Sequence, residues 1–272
     1  PTTDGFPHWS GNSFYVFTSR DGRHFERREK ILDVASDQVP WAVGSAWAPC
    51  IAKRGGKYYY YFCAKDAGGT SCIGVAEADS PAGPFRAAAE PIVTMEMMGR
   101  NGIVMGQTID PSVYEEDGVW YLLFGNGHAA MARLREDMLG IREDTLQTID
   151  GLTDFRESVI LLKRGGLYHF TWSCDDTGSE DYHVNYGVSE VLGGPVVFQG
   201  TILRKDASRG IFGTGHHSIL KMPGEDRYLI AYHRFATPLE QYPEGKGWHR
   251  ELCLAPLTFD QNGMMLPVVV SG

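Results

Sequence analysis

The chain lacks most of the features that assign a protein quickly. Its five cysteines, Cys50, Cys63, Cys72, Cys174 and Cys253, form no CxxC pair, so neither a zinc centre nor a disulfide framework is indicated. Isolated cysteines of this kind read as small buried apolar side chains. No apolar run approaches the ~20 residues needed to cross a bilayer; LPVVV near the C-terminal end is strand-sized, and no membrane insertion is expected. Lysines and arginines are scattered rather than clustered, and the formal net charge is -9. Surfaces for nucleic acid or anionic lipid need grouped cations, so no nucleic-acid partner is expected and a neutral ligand is the natural one. Helical periodicity is missing too, since no window keeps apolar residues at i, i+3, i+4 and i+7 over several turns. None of this indicates a compartment.

What the chain does have is aromatic and β-branched runs, separated at short intervals by Gly, Pro, Asp and Ser. That pattern reads as all-β, and 43% apolar content over 272 residues is enough for a large core. Four segments share a Gly- or Asp-marked turn followed by an aromatic strand: GGKYYYYFCA, DGVWYLLFGNG, GGLYHFTWS and EDRYLIAYH. Matching Tyr59, Tyr121, Tyr168 and Tyr228 gives successive gaps of 62, 47 and 60 residues. Repeats of that length hold about four short strands each, which is the blade of a β-propeller.

Counting back 11 or 12 positions from those tyrosines lands on Trp47 in AWAPCI, Asp110 in IDPSVY, Glu157 in RESVIL and His217 in GHHSIL. Each begins a run that reads as the innermost strand of its blade, so the four are expected to share one position and converge on one pocket. Each also has a plainer reading. Asp110 precedes Pro111, a pair that commonly starts a turn; Glu157 follows Arg156 and would serve as a surface ion pair; Trp47 would fill core; one of His216 and His217 would be a satisfied buried imidazole. The shared offset is what raises the four together.

The set AWAPCIAKRGGKYYYYFC, GQTIDPSVYEEDGVWYLLFGNG, FRESVILLKRGGLYHFTWS and GTGHHSIL with YLIAYHR resembles glycoside hydrolase family 43. The resemblance implies a five-bladed β-propeller, one catalytic domain over residues 1–272, and inverting, exo-acting removal of arabinofuranosyl, xylosyl or related residues from plant oligosaccharides or polysaccharides. By motif it places Glu157 as general acid and Asp110 as the carboxylate that orients and tunes the acid. An acid must be protonated near neutral pH, which a nearby carboxylate and apolar surroundings favour. In the family the acid is usually followed by Gly-Pro, whereas here Ser158-Val159 follow, a change that bears on the substrate. Trp47 offers a ring to a sugar face, Gln107 and Asn126 flank Asp110 as hydroxyl partners, and Arg234 is placed to reach the acid or a ring hydroxyl. No cofactor is required. A structural Ca²⁺ in the central channel, contacted by His217, is a possibility the family carries, although one imidazole without oxygen ligands makes a poor Ca²⁺ site.

The family's base is a further Asp in the first blade. Setting Ser19, Ala78 and Ser189 as equivalent strand ends puts the first blade's tyrosine near or before residue 1, so that blade is expected to be incomplete at the N-terminus and the base to lie outside this sequence. Asp4, in TTDG, is the nearby carboxylate, but it reads better as a turn residue before Gly5 and takes no base role. Three functional classes stay open: an inverting furanosidase (α-L-arabinofuranosidase first, with β-xylosidase and β-D-galactofuranosidase as neighbours), a carbohydrate-binding propeller without its base, and a retaining fructan-cleaving propeller. The last would carry an Asn-Asp-Pro nucleophile and a Glu-Cys acid motif, and the chain has neither.

Overall fold

Two-residue turns set the strand pairs. Gly55 and Gly56, Asp117 and Gly118, and Gly165 and Gly166 each supply two consecutive residues with φ between 52° and 84°, the backbone of the type I′ hairpin whose twist matches paired strands. The computed structural model describes Trp9 and residues 11–22, 24–241 and 247–270, the side chains of residues 27 and 28 excepted. Asp4 lies outside the described residues. The chain divides into two compact units, Ser10–Thr148 and Ile149–Gly272, the latter joined by Trp9.

In the first unit, β1 (Ser13–Thr18) and β2 (Glu26–Asp33) pair as a two-stranded sheet. A four-stranded meander follows, from β3 (Ala42–Arg54), β4 (Lys57–Asp66), β5 (Ser71–Ala78) and β6 (Arg86–Ala87). After a short helix, Met95–Arg100, come β7 (Ser112–Glu116), β8 (Val119–Phe124), β9 (Ala130–Arg133) and β10 (Gln147–Thr148), again one sheet. The second unit holds β11 (Phe155–Arg164), β12 (Leu167–Cys174), β13 (His183–Ser189) and β14 (Val197–Leu203) as four strands, and β15 (Gly215–Lys221), β16 (Tyr228–Phe235) and β17 (Arg250–Leu257) as three. Every neighbouring pair is antiparallel. The fold is all-β, of propeller type. Among the described residues there are four sheets of blade size where five blades were expected; the remaining sheet has two strands.

β4 shows why its sequence looks so continuously aromatic. Tyr59, Tyr61 and Cys63 face one core cluster, with Ile73, Val75, Leu122 and Phe124. Tyr60, Phe62 and Ala64, on the opposite face, join another with Phe14, Leu32 and Ala76. Side chains of a strand alternate between faces, and a strand covered on both sides keeps no polar face.

Register corrects the repeat alignment. Tyr58 lies opposite Ala78 and Tyr168 opposite Ser189, and Tyr58 and Tyr168 stand at the same step after their turns, so Tyr58 is the counterpart of Tyr168. Tyr59 and Tyr121 sit one step further on. In the β15–β16 pair the hairpin loop is longer, with Lys221 opposite Tyr228. The four upstream residues therefore do not share one position. Trp47 is opposite Cys63 and Glu157 opposite Ser173; the matching residue of β15 is Gly215, opposite His233, and that before β7 is Ile109, whose carbonyl accepts from Gly125 N at 2.8 Å. The next pairs are Cys50 with Tyr61, Ile160 with Thr171, Ser218 with Ala231, and Ser112 with Leu123. Each sheet thus advances three residues on its first strand against two on its second, which is a β-bulge. The residue entering the bulge is left-handed every time: Ala48 (φ 35°), Asp110 (60°), Ser158 (60°) and His216 (45°). Asp110 lies in its bulge, Glu157 and Trp47 just before theirs, and His217 one residue past the bulge entry.

Candidate active site

Glu157 leaves β11 as the ladder breaks for the bulge, and it is 6% exposed. The Tyr182 hydroxyl donates to its Oε1 at 2.8 Å. His216 Nδ1 stands 4.0 Å from the same oxygen. Tyr182 is itself fully buried, its ring parallel to that of His233 with centroids 5.5 Å apart. His233 in turn stacks on His216 at 6.1 Å and bonds Arg250 through Nε2, and the Arg250 guanidinium lies 4.1 Å over the Trp9 ring.

That packing keeps the imidazoles neutral. Burial, seconded by the Arg250 charge, pushes His216 down to about 3 even though a quarter of its side chain meets solvent. His233 is pushed well below the usual histidine range by burial first and Arg250 next. Glu157 therefore has a hydroxyl donor on Oε1 and a neutral imidazole close by. Arg156 does not pair with Glu157; it reaches Asp176 at 3.2 Å, so the surface-pair reading of Glu157 falls away.

His217 points elsewhere in the same sheet. Its Nε2 shares a 2.6 Å hydrogen bond with Thr171 Oγ1, Nδ1 has no hydrogen-bond partner among the described residues, and burial holds the ring neutral down to about 3. Arg234, 8% exposed, donates through Nε to Glu251 Oε1 at 2.8 Å, and Thr237 Oγ1 donates to that oxygen at 2.9 Å.

Asp110 is 5% exposed and is held through its main chain. Its left-handed backbone directly precedes Pro111, an arrangement that costs of order 1–3 kcal/mol unless neighbours enforce it. Cys63 Sγ accepts its N–H at 3.1 Å, and the Gly125 N–H holds the carbonyl of Ile109 just before it. Gln107 and Asn126 form a β-bridge beside it, with Ser71 Oγ donating to Gln107 Oε1 at 2.7 Å and Gly106 N to Asn126 O at 2.8 Å. Trp47 is half-buried, and the Lys65 ammonium lies 5.3 Å from its ring centroid, a cation–π contact.

Sequence reasoning missed Tyr182, His216, His233 and Arg250. His216 is the neighbour of His217, which the offset picked out, and the longer β15–β16 loop hid the difference of one residue. Tyr182 lies outside the repeated strands, just ahead of β13, and carries no signal of its own.

Comparison with known proteins meets this geometry from outside. The chain is 30% identical over 275 residues to the β-D-galactofuranosidase xynD of Aspergillus niger, covering 95% of this chain and 75% of that one. It is 27% identical over 305 residues to a xylosidase/arabinosidase of Bacteroides ovatus, covering 97% and 86%. Among solved structures, the GH43_1 enzyme of Xanthomonas citri complexed with xylotriose superposes with a TM-score of 0.78 at 26% identity, over 98% of this chain and 84% of that one. Residues 2–265 match the family described as glycosyl hydrolases family 43, and the chain belongs to that family.

Proposed function

We propose that this glycoside hydrolase removes terminal furanosyl or pentosyl residues from plant-type oligosaccharides or polysaccharides with inversion, α-L-arabinofuranosides first, and that Glu157 is its general acid. The observation that carries the reading is the setting of Glu157: a buried carboxyl gripped at one oxygen by Tyr182 and faced by a neutral imidazole. The carboxyl proton of Glu157 is assigned to pass to the departing glycosidic oxygen. Inversion also requires a carboxylate base about 6.5–9.5 Å from the acid, far enough to seat a water. Asp110 is not given that role; it is proposed as the tuning carboxylate, held by its bulge. Trp47, Gln107, Asn126 and Arg234 are proposed as sugar contacts. Gln107 is braced by Ser71 and Arg234 by Glu251.

β-Xylosidase and β-D-galactofuranosidase activity are the neighbouring assignments, and the names of the two relatives favour testing both. The whole of residues 1–272 is taken as one catalytic domain, with the β1–β2 pair counted as part of a fifth blade. For a structural Ca²⁺ at His217 the described surroundings are a poor fit: one imidazole nitrogen and one hydroxyl do not approach the six to eight oxygens the ion takes, and no step is routed through it.

The test is turnover of aryl α-L-arabinofuranoside, β-D-xyloside and β-D-galactofuranoside by the full-length protein, with Glu157→Gln as control and proton NMR of the released sugar. Activity on one of them, lost in the control and releasing the inverted anomer, is expected. A retained anomer refutes inversion. Binding of the sugars with no turnover of any aryl glycoside would replace the enzyme by a carbohydrate-binding protein.

A further inference from the structure

The Asp110 main chain is held by a sulfur. Cys63 is fully buried in the middle of β4, opposite Trp47, and its Sγ accepts the Asp110 N–H at 3.1 Å. The same thiol lies 4.0 Å from the carbonyl oxygen of Ala48, toward which its S–H points as donor. It therefore touches two residues with positive φ, Ala48 and Asp110, and joins the bulge of its own sheet to the start of the next. The arrangement occurs a second time within the other unit. Ser173, which occupies the position of Cys63 in register, accepts the N–H of His216 through Oγ at 3.0 Å, and His216 is the left-handed residue of the following sheet.

We propose that Cys63 is a positioning residue for catalysis, acting as the hydrogen-bond acceptor that fixes the left-handed backbone of Asp110 and so aims its carboxylate. The inference rests on the tuning role given to Asp110 above. Its physical content is specific. A left-handed non-glycine residue before proline is disfavoured, and the N–H it exposes must find an acceptor in a buried setting. The heteroatom at position 63 supplies one, and a methyl group there would remove it.

The experiment compares Cys63→Ala, Cys63→Ser and Asp110→Asn in the full-length protein, reading kcat, KM, the pH profile of kcat/KM, melting temperature, and hydrogen exchange of the segment holding the Asp110 amide. Cys63→Ala is expected to lower kcat by about fivefold to tenfold with KM little changed, from loss of one hydrogen bond of ordinary strength, to shift the pH profile in the direction of Asp110→Asn, and to speed exchange at Asp110. Cys63→Ser, which puts the Ser173 solution at position 63, is expected to restore kcat and slow exchange. If Asp110→Asn changes kcat strongly while Cys63→Ala leaves kcat, pH profile and exchange as in the parent, the positioning role is overturned. If Asp110→Asn itself leaves the pH profile unmoved, it is the tuning role of Asp110 that fails. Should Cys63→Ala not fold, the serine variant decides: faster exchange at Asp110 with lowered kcat in a stably folded Cys63→Ser protein refutes an acceptor role that oxygen can fill.

Discussion

Replacing Tyr182 with Phe isolates a single hydrogen bond. The ring keeps its stacking on His233 at 5.5 Å and its packing against Gly215, where an added Cβ would stand 2.3 Å from Tyr182 Cε1. Only the hydroxyl that donates to Glu157 Oε1 at 2.8 Å is lost. A hydrogen bond to a charged acceptor is worth about 1.5–3 kcal/mol, and about 1.4 kcal/mol corresponds to one pKa unit. The donor favours the ionised carboxylate, so its removal raises the pKa of Glu157 by about one to two units. With Glu157 as the acid, the alkaline limb of the kcat/KM profile, which reports the free enzyme's acid, moves up by that amount. The assay is the pH dependence of kcat/KM for an aryl glycoside with a poor leaving group, which needs proton transfer, alongside one with a good leaving group, which does not. An alkaline limb that stays in place for the poor leaving group, in a variant of parental melting temperature, would refute the assignment of Glu157 as the acid held by Tyr182.

Other expectations follow from the same contacts. His217 stays neutral in the folded protein down to about pH 3, while in the unfolded chain it takes up a proton near 6.5. Its contribution is therefore fully present above about pH 6.5 and is lost as pH falls toward 3, by about 1.4 kcal/mol per pH unit; urea unfolding of His217→Gln should show a correspondingly shallower pH dependence, and an unchanged slope would contradict the buried neutral state. Gly215→Ala forces a methyl into the Tyr182 ring and should cost about 1–3 kcal/mol, read as a lower melting temperature, with activity falling as Tyr182 is displaced; a variant as stable as the parent would show that the contact yields. Trp47→Ala should raise KM by about fivefold to tenfold with kcat less affected if its ring meets a sugar, and an unmoved KM would remove Trp47 from the substrate contacts.

The sequence carried the strands and turns because Gly-Gly and Asp-Gly pairs leave little choice of hairpin. It misplaced the register by one residue at Tyr59 because β4 is buried on both faces: with no polar alternation to count against, any of four consecutive tyrosines fits equally. The offset that grouped Asp110 with Glu157 does not survive the corrected register, so the roles proposed for them rest on the motifs IDPS and RES. The bulges were not legible, since Ala48, Asp110, Ser158 and His216 share no side-chain chemistry; what they share is a sign of φ. Tyr182 and Arg250 come to Glu157 and His233 through tertiary packing that no local pattern announces. The count of five blades followed the family resemblance, and the described sheets supply four of that size and a pair.

The repeated bulge also separates two kinds of inheritance in each sheet. On the turn side of it the ladder runs in unbroken register to the hairpin, and a slip would invert the whole strand. On the far side the ladder has already been broken, so the identity of the left-handed residue can change among alanine, aspartate, serine and histidine without disturbing what lies beyond. The bulge works as a socket of constant fitting, in which four sheets seat four different side chains on one sign of φ.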